Sequence, residues 1–238
     1  NLLAAQGPVA VSTATAVVLQ ESLLWAEASE GAFDPCLGKA VALWDVGHRQ
    51  VPPAAGQVKK LAGRGLYQAL EVGMWRGEPV VTFRDPDVAL DLGGIAKGYG
   101  VDLAAEALRS FGILNGLVNV GGDLYALGHS EDGDPWKIGI RDPDDPDGIV
   151  DTIEATDCAV ATSGDYLQYF QHGGRRYHHM LDPRTGEPRR SRNRSVTVMA
   201  DRCLAADAAG TAAFGMPTGE ASRLLERWAP GARIAHVI

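Results

Sequence analysis

The chain has 238 residues, 45% of them hydrophobic and 22% charged, a composition that supports a sizeable core and excludes a disordered chain. Its formal net charge of −8 excludes any general attraction for nucleic acid, and no basic stripe runs along it. Mean hydropathy is near zero and no run approaches the length of a membrane span.

Residues 12–30 predict a helix: Ala14, Val17, Val18, Leu24, Trp25 and Ala28 approximate helical spacing, and Gly31 stops it. A turn region rich in glycine follows from Gly31 to Gly47, then a short helix over 54–63 after Pro52-Pro53. Residues 66–91 predict strands joined by turns, with Gly77, Pro79 and Pro86 as punctuation. A strong helix starts near Gly94–Lys97, buries Val101, Ala104, Ala105, Leu108 and Phe111, and ends at Gly112.

Strands are expected at Leu117–Val120, Leu124–Leu127 and Trp136–Ile140, where Trp136, Ile138 and Ile140 alternate. Asp142 to Gly148 is an acidic, proline-containing turn whose spacing matches no calcium loop. Strands at Ile149–Ile153 and Cys158–Thr162 come next, followed by a hairpin around Gly173-Gly174. A strand at Ser195–Met199, helices at Leu204–Phe214 and Ala221–Trp228, and a strand at Ile234–Ile238 complete the chain. The expected architecture is α+β, with mixed or antiparallel sheets packed by helices.

The three cysteines, Cys36, Cys158 and Cys203, are odd in number and widely spaced, so free thiols are expected. Arg184 to Arg194 carries five arginines and reads either as a solvated loop or as a docking surface for an acidic ligand.

Several segments have chemical potential. In Asp91-Leu92-Gly93-Gly94-Ile95-Ala96-Lys97-Gly98, paired glycines ahead of a helix let backbone N–H groups approach an anion, and Lys97 adds a full positive charge. It is neither the nucleotide P-loop nor GxGxxG, and a plain glycine turn with a solvated lysine is the alternative. Asn119-Val120-Gly121-Gly122-Asp123 reads either as exposed backbone for a ligand or as a tight turn. His178, His179 and Asp182 suggest a transition-metal site, a general acid/base or ordinary turn chemistry at Asp182 to Gly186. Asp207 and Thr211 lie four apart on a helix, so a carboxylate and a hydroxyl share one face, which suits a hard cation such as magnesium. An aspartate serving only its own helix is the alternative there. Ser163 lacks the GxSxG elbow and reads as a hydrogen-bonding turn residue.

Taken together and in order, these segments resemble the ApbE family of FAD:protein FMN transferases, from about Leu2 to about Gly219. The resemblance rests on Ser29 to Pro35, Asp91 to Gly98, Gly121 to Asp123, Thr162 to Gly164, His179 to Gly186, Ser195 to Val198 and Asp207 to Thr211. It implies that Ala32, Phe33, Asp34, Asp91, Lys97 and His179 contact FAD. It implies a magnesium ion held by the Gly94 carbonyl, Asp207 and Thr211, with His179 at the pyrophosphate acting in the transfer; His179 or Asp182 is expected to assist the proton transfer. The activity it implies is movement of FMN from FAD to a threonine or serine of an acceptor protein, with AMP leaving. FAD hydrolysis to FMN and AMP, and FAD binding without catalysis, are the alternatives. The fold it implies is a single ApbE-like domain over residues 1–238, with two linked lobes and the cofactor between them.

The chain departs from the family at Cys36, where threonine is common, and at Gly210, where some members carry a second acidic ligand. The family usually has several dozen further residues before the position of Asn1, which supply part of the adenine and flavin pocket. With no export signal in view the expected compartment is cytoplasmic, or extracytoplasmic if a signal was removed.

Overall fold

The computed structural model describes residues 7–145 and 147–238. The Leu2 end of the family resemblance and Pro146 of the acidic turn lie outside them. In chain order the elements are β1 (Val9–Ala10), α1 (Thr13–Ala28), α2 (Gly38–Trp44), α3 (Ala55–Leu61), a short 3-10 turn (Leu66–Ala69), β2 (Leu70–Trp75) and β3 (Glu78–Phe83). Next come α4 (Ala96–Ser110), β4 (Gly116–Val120), β5 (Asp123–Leu127), β6 (Trp136–Arg141), β7 (Ile149–Ala155) and β8 (Cys158–Gly164). The last are β9 (Tyr169–His172), β10 (Arg175–His178), β11 (Ser195–Ala200), α5 (Cys203–Ala213), α6 (Thr218–Trp228) and β12 (Arg233–Val237). The architecture is α+β, and all pairings between these strands are antiparallel. Among the described residues, 7–92 and 168–189 form one compact unit, and 93–145, 147–167 and 190–238 form another.

In the first unit, α1 opens at Ser12, whose hydroxyl accepts the Thr15 N–H at 3.1 Å and so satisfies a donor left over at the helix start. Its buried stripe runs through Val18, Leu19, Ser22, Trp25 and Ala26. Ala14 and Leu24, expected on that stripe, are exposed. Leu19 packs with Cys36, Leu66, Leu70, Val81 and Val88 over the sheet ordered β1-β3-β2. The β2–β3 turn is Arg76-Gly77, both at positive φ. The expected turn region from Gly31 to Gly47 contains α2. This helix has seven residues and no side-chain N-cap, and it is held by burial of Ala40 and Trp44 against Val58, Phe170 and Leu181. Tyr177 of the β9–β10 hairpin stacks on both Trp44 and Phe170.

The second unit is built on a five-stranded sheet ordered β12-β11-β8-β5-β4. Every residue of β5 and β11 is buried, so both faces of the sheet are covered. On one face Leu124, Ala126, Val160 and Met199 pack against Ile138 and Ala155 of the β6–β7 hairpin. The opposite face carries α4 and α5. Helix α4 buries Gly98, Val101 and Ala105. Phe111, expected on that face, is 83% exposed. It lies six residues beyond Ala105, about 120° around the helix from the buried stripe at roughly 100° per residue.

Candidate active site

In the second unit the glycine turn ahead of Lys97 and the Asp207/Thr211 face of α5 lie together. Three contacts bring this about. Gly98 on α4 has no side chain, and a Cβ there would stand 2.3 Å from the Cys203 carbonyl oxygen, so the two helices touch backbone to backbone. Asp102, one turn on, accepts the N–H groups of Cys203 at 2.6 Å and Leu204 at 3.0 Å. It caps α5 from a neighbouring helix, because the N-cap residue Arg202 makes no side-chain cap. Gly94 faces Thr211 so closely that a Cβ on it would lie 2.7 Å from Thr211 Oγ1.

Asp207 is 3% exposed. Its Oδ2 accepts the Gly98 N–H at 3.0 Å, and its Oδ1 faces Lys97 Nζ at 3.3 Å. The same ammonium donates to Asp123 Oδ2. Asp123 is 2% exposed and opens β5, the strand that follows the Gly121-Gly122 turn. Burial, reinforced by the neighbouring Asp123 charge, pushes the Asp207 carboxyl well above the ordinary carboxylate range. Burial works against the charge on Lys97, but Asp207 and Asp123 outweigh it and raise the ammonium pKa. Two buried carboxylates thus share one lysine.

The Gly94 carbonyl, the Asp207 carboxylate and the Thr211 hydroxyl are hard oxygen donors of the kind that suit magnesium, and the gap that a Cβ on Gly94 would fill leaves Thr211 Oγ1 facing that turn. Gly210 has a related use: a Cβ there would be 2.9 Å from Ser163 Oγ, so β8 brings this hydroxyl against the α5 turn that carries Thr211. Ser163 therefore lies on a strand, packed against a helix, rather than in the turn expected from sequence.

The remaining sequence-predicted residues belong to the first unit. After α1, Ser29 Oγ donates to the Trp25 carbonyl at 2.7 Å and accepts the Phe33 N–H at 2.9 Å. This folds Ala32-Phe33-Asp34 into a tight bend. Phe33 is buried, and Asp34 Oδ1 accepts the Cys36 N–H at 2.8 Å. Burial raises the Asp34 carboxyl to about 6 despite that bond. The Asp91 N–H donates to the Pro35 carbonyl at 2.9 Å, which ties this bend to the segment before Gly93.

His179 follows the end of β10 and is half-buried; its Nδ1 lies 3.4 Å from the Gln168 carbonyl oxygen. Its neighbour His178 is buried, with Nε2 3.0 Å from the Arg189 carbonyl oxygen. Asp182 Oδ1 accepts the Arg184 N–H at 2.9 Å, closing the turn expected at Asp182 to Gly186. Among the described residues no group of three or more His, Cys, Asp or Glu is placed to hold a metal ion, and His178, His179 and Asp182 form no such group.

Two arginines of the basic segment, Arg189 and Arg194, are engaged within the fold, while Arg184, Arg190 and Arg192 are exposed. Arg189 Nε donates to the Leu181 carbonyl at 3.0 Å and its Nη2 to the Ala32 carbonyl, joining the Ala32–Asp34 bend to the His179–Asp182 segment. Burial lowers the Arg189 pKa to about 10. Arg194 pairs with Asp165 and Asp144, both at 2.7 Å. Sequence reasoning missed Arg189, Asp102 and the part Asp123 plays. The Gly121-Gly122-Asp123 motif was the one signal for the last of these.

The ApbE family model matches residues 1–235. The chain belongs to the ApbE family. Its relatives include a FAD:protein FMN transferase of Vibrio cholerae, 38% identical over 224 residues, covering 91% of this chain and 67% of that protein. A FAD:protein FMN transferase of Treponema pallidum is 35% identical over 247 residues, covering 97% of this chain and 67% of that protein. The chain thus spans about two thirds of the length of these relatives.

Among solved structures, the ApbE protein of Thermotoga maritima matches with a TM-score of 0.85 at 33% identity, over 97% of this chain and 77% of that one. The flavin transferase ApbE of Vibrio cholerae matches with a TM-score of 0.78 at 35% identity, over 92% of this chain and 70% of that one. The curated ApbE relatives carry a transferase name.

Proposed function

We propose that this chain moves FMN from FAD to a threonine or serine hydroxyl of an acceptor protein, in a magnesium-dependent reaction that releases AMP. The observation that carries this reading is the close approach of Gly94 to Thr211 beside buried Asp207, with Lys97 at the same place. It supplies oxygen donors for a divalent ion and a cation for a diphosphate within one unit. The names of the relatives support FAD as the substrate.

Under this reading the Gly94 carbonyl, Asp207 and Thr211 would hold a magnesium ion, which when bound would supply neutralisation of the diphosphate charge. Lys97 and the Gly93-Gly94 backbone add fixed positive potential at the same charge. Ala32, Phe33, Asp34 and Asp91 contact the flavin nucleotide. The acceptor hydroxyl attacks the FMN-side phosphorus, its proton leaves with help from His179 or Asp182, and AMP departs with the electrons of the broken P–O bond. Both side chains hydrogen-bond to backbone groups, which fixes their orientation.

The test is mass spectrometry of a candidate acceptor incubated with enzyme and FAD, with and without magnesium. Transfer adds the mass of FMN less one water to the acceptor, only when magnesium is present. FMN and AMP released with the acceptor unmodified favours hydrolysis. Intact FAD in the presence of magnesium favours binding without catalysis.

A further inference from the structure

We propose that Asp123 sets the metal affinity of the α4–α5 site by drawing the Lys97 ammonium away from Asp207; this rests on the magnesium reading above. Asp123 and Asp207 reach Lys97 from different elements, β5 and α5, and each is almost fully buried. Lys97 Nζ contacts both carboxylates, donating to Asp123 Oδ2 and lying 3.3 Å from Asp207 Oδ1. The other Asp207 oxygen is held by the Gly98 N–H. The oxygen available to a divalent ion is therefore the one that faces the ammonium.

Two cations compete for that oxygen, which belongs to an almost fully buried carboxylate, while the Lys97 side chain itself is 42% exposed. Asp123 resolves the competition. It gives the ammonium a second carboxylate, so that Lys97 stays charged and in place while Asp207 turns its Oδ1 to the metal. Without the Asp123 charge, Lys97 has only Asp207 to pair with in this trio, and metal binding must break that pair. A carboxylate that never touches the metal thus strengthens its binding, acting through the lysine.

The experiment is calorimetric titration of magnesium chloride, with no FAD, into the wild-type chain, Asp123→Asn, Lys97→Met and the double variant, with thermal melting of each. Asp123→Asn binds magnesium on the order of tenfold more weakly. Lys97→Met binds it more tightly than wild type, and adding Lys97→Met to Asp123→Asn restores on the order of tenfold. Unchanged affinity in Asp123→Asn, or a double variant as weak as Asp123→Asn alone, overturns the inference and leaves the metal reading standing. If Asp123→Asn does not fold, Lys97→Met decides: affinity equal to or weaker than wild type overturns it. A wild-type chain that takes up no magnesium overturns the metal reading itself, and this inference with it.

Discussion

A Cβ on Gly98 would stand 2.3 Å from the carbonyl oxygen of Cys203, so α4 and α5 meet with no side chain between them. The close contact sets the distance between Lys97, on the first turn of α4, and Asp207, on the second turn of α5. Gly98→Ala has to push the helices apart against buried backbone, at a cost of about 1–3 kcal/mol. It also pulls the Gly98 N–H from Asp207 Oδ2. The expected result is a lower thermal midpoint together with weaker magnesium binding, read by melting and by calorimetry on the same preparation.

Asp102 holds the same junction by hydrogen bonds, accepting two N–H groups at the start of α5. Burial raises its carboxyl above the ordinary range in spite of those donors. Asp102→Ala leaves both donors without that acceptor and is expected to cost about 1–2 kcal/mol. Asp102→Asn keeps one acceptor oxygen and costs less. Denaturant midpoints of the two variants check the order, and an Asp102→Ala midpoint equal to that of wild type would show that the cap is unimportant.

Asp34 makes the stability of the first unit depend on pH. Its carboxyl titrates near 6 in the fold against 3.8 ordinarily, because burial disfavours the anion. The folded state therefore holds this proton more tightly than the unfolded chain. The stabilisation is complete below about pH 4 and is lost as pH rises through about 6, up to about 3 kcal/mol for this one group. Asp34→Asn removes the buried charge and keeps one oxygen to accept backbone N–H groups, whereas the carboxylate is hydrogen-bonded by Cys36, Tyr67 and Leu66. It is expected to flatten the stability profile between pH 4 and 6. It should also weaken FAD binding if Asp34 contacts the flavin nucleotide.

Much of this site was legible in the sequence because it is local. Gly93-Gly94 ahead of a helix, and Asp207 with Thr211 at helical spacing, can each be read within one turn of chain. The long elements α1, α4 and α5 were legible for the same reason, since their apolar residues recur over several turns. What was not legible is long-range. Asp123 and Lys97 are 26 residues apart, and Asp102 reaches Cys203 across 101, so no window of sequence shows either pairing. Helix α2 was missed because seven residues among glycines, with no N-capping side chain, carry too little periodicity; tertiary packing of Trp44 makes it. Phe111 was misplaced because apolar character was taken for burial, whereas the helix phase turns it to solvent.

The most direct measurement is the rate of FMN transfer from FAD to acceptor by Asp207→Ala, compared with wild type at saturating magnesium. Removing the buried carboxylate takes away the one anionic donor proposed for the metal and is expected to lower the rate on the order of 100-fold or more. Transfer at the wild-type rate would contradict a role for Asp207, Thr211 and Gly94 in holding the ion that grips the diphosphate of FAD.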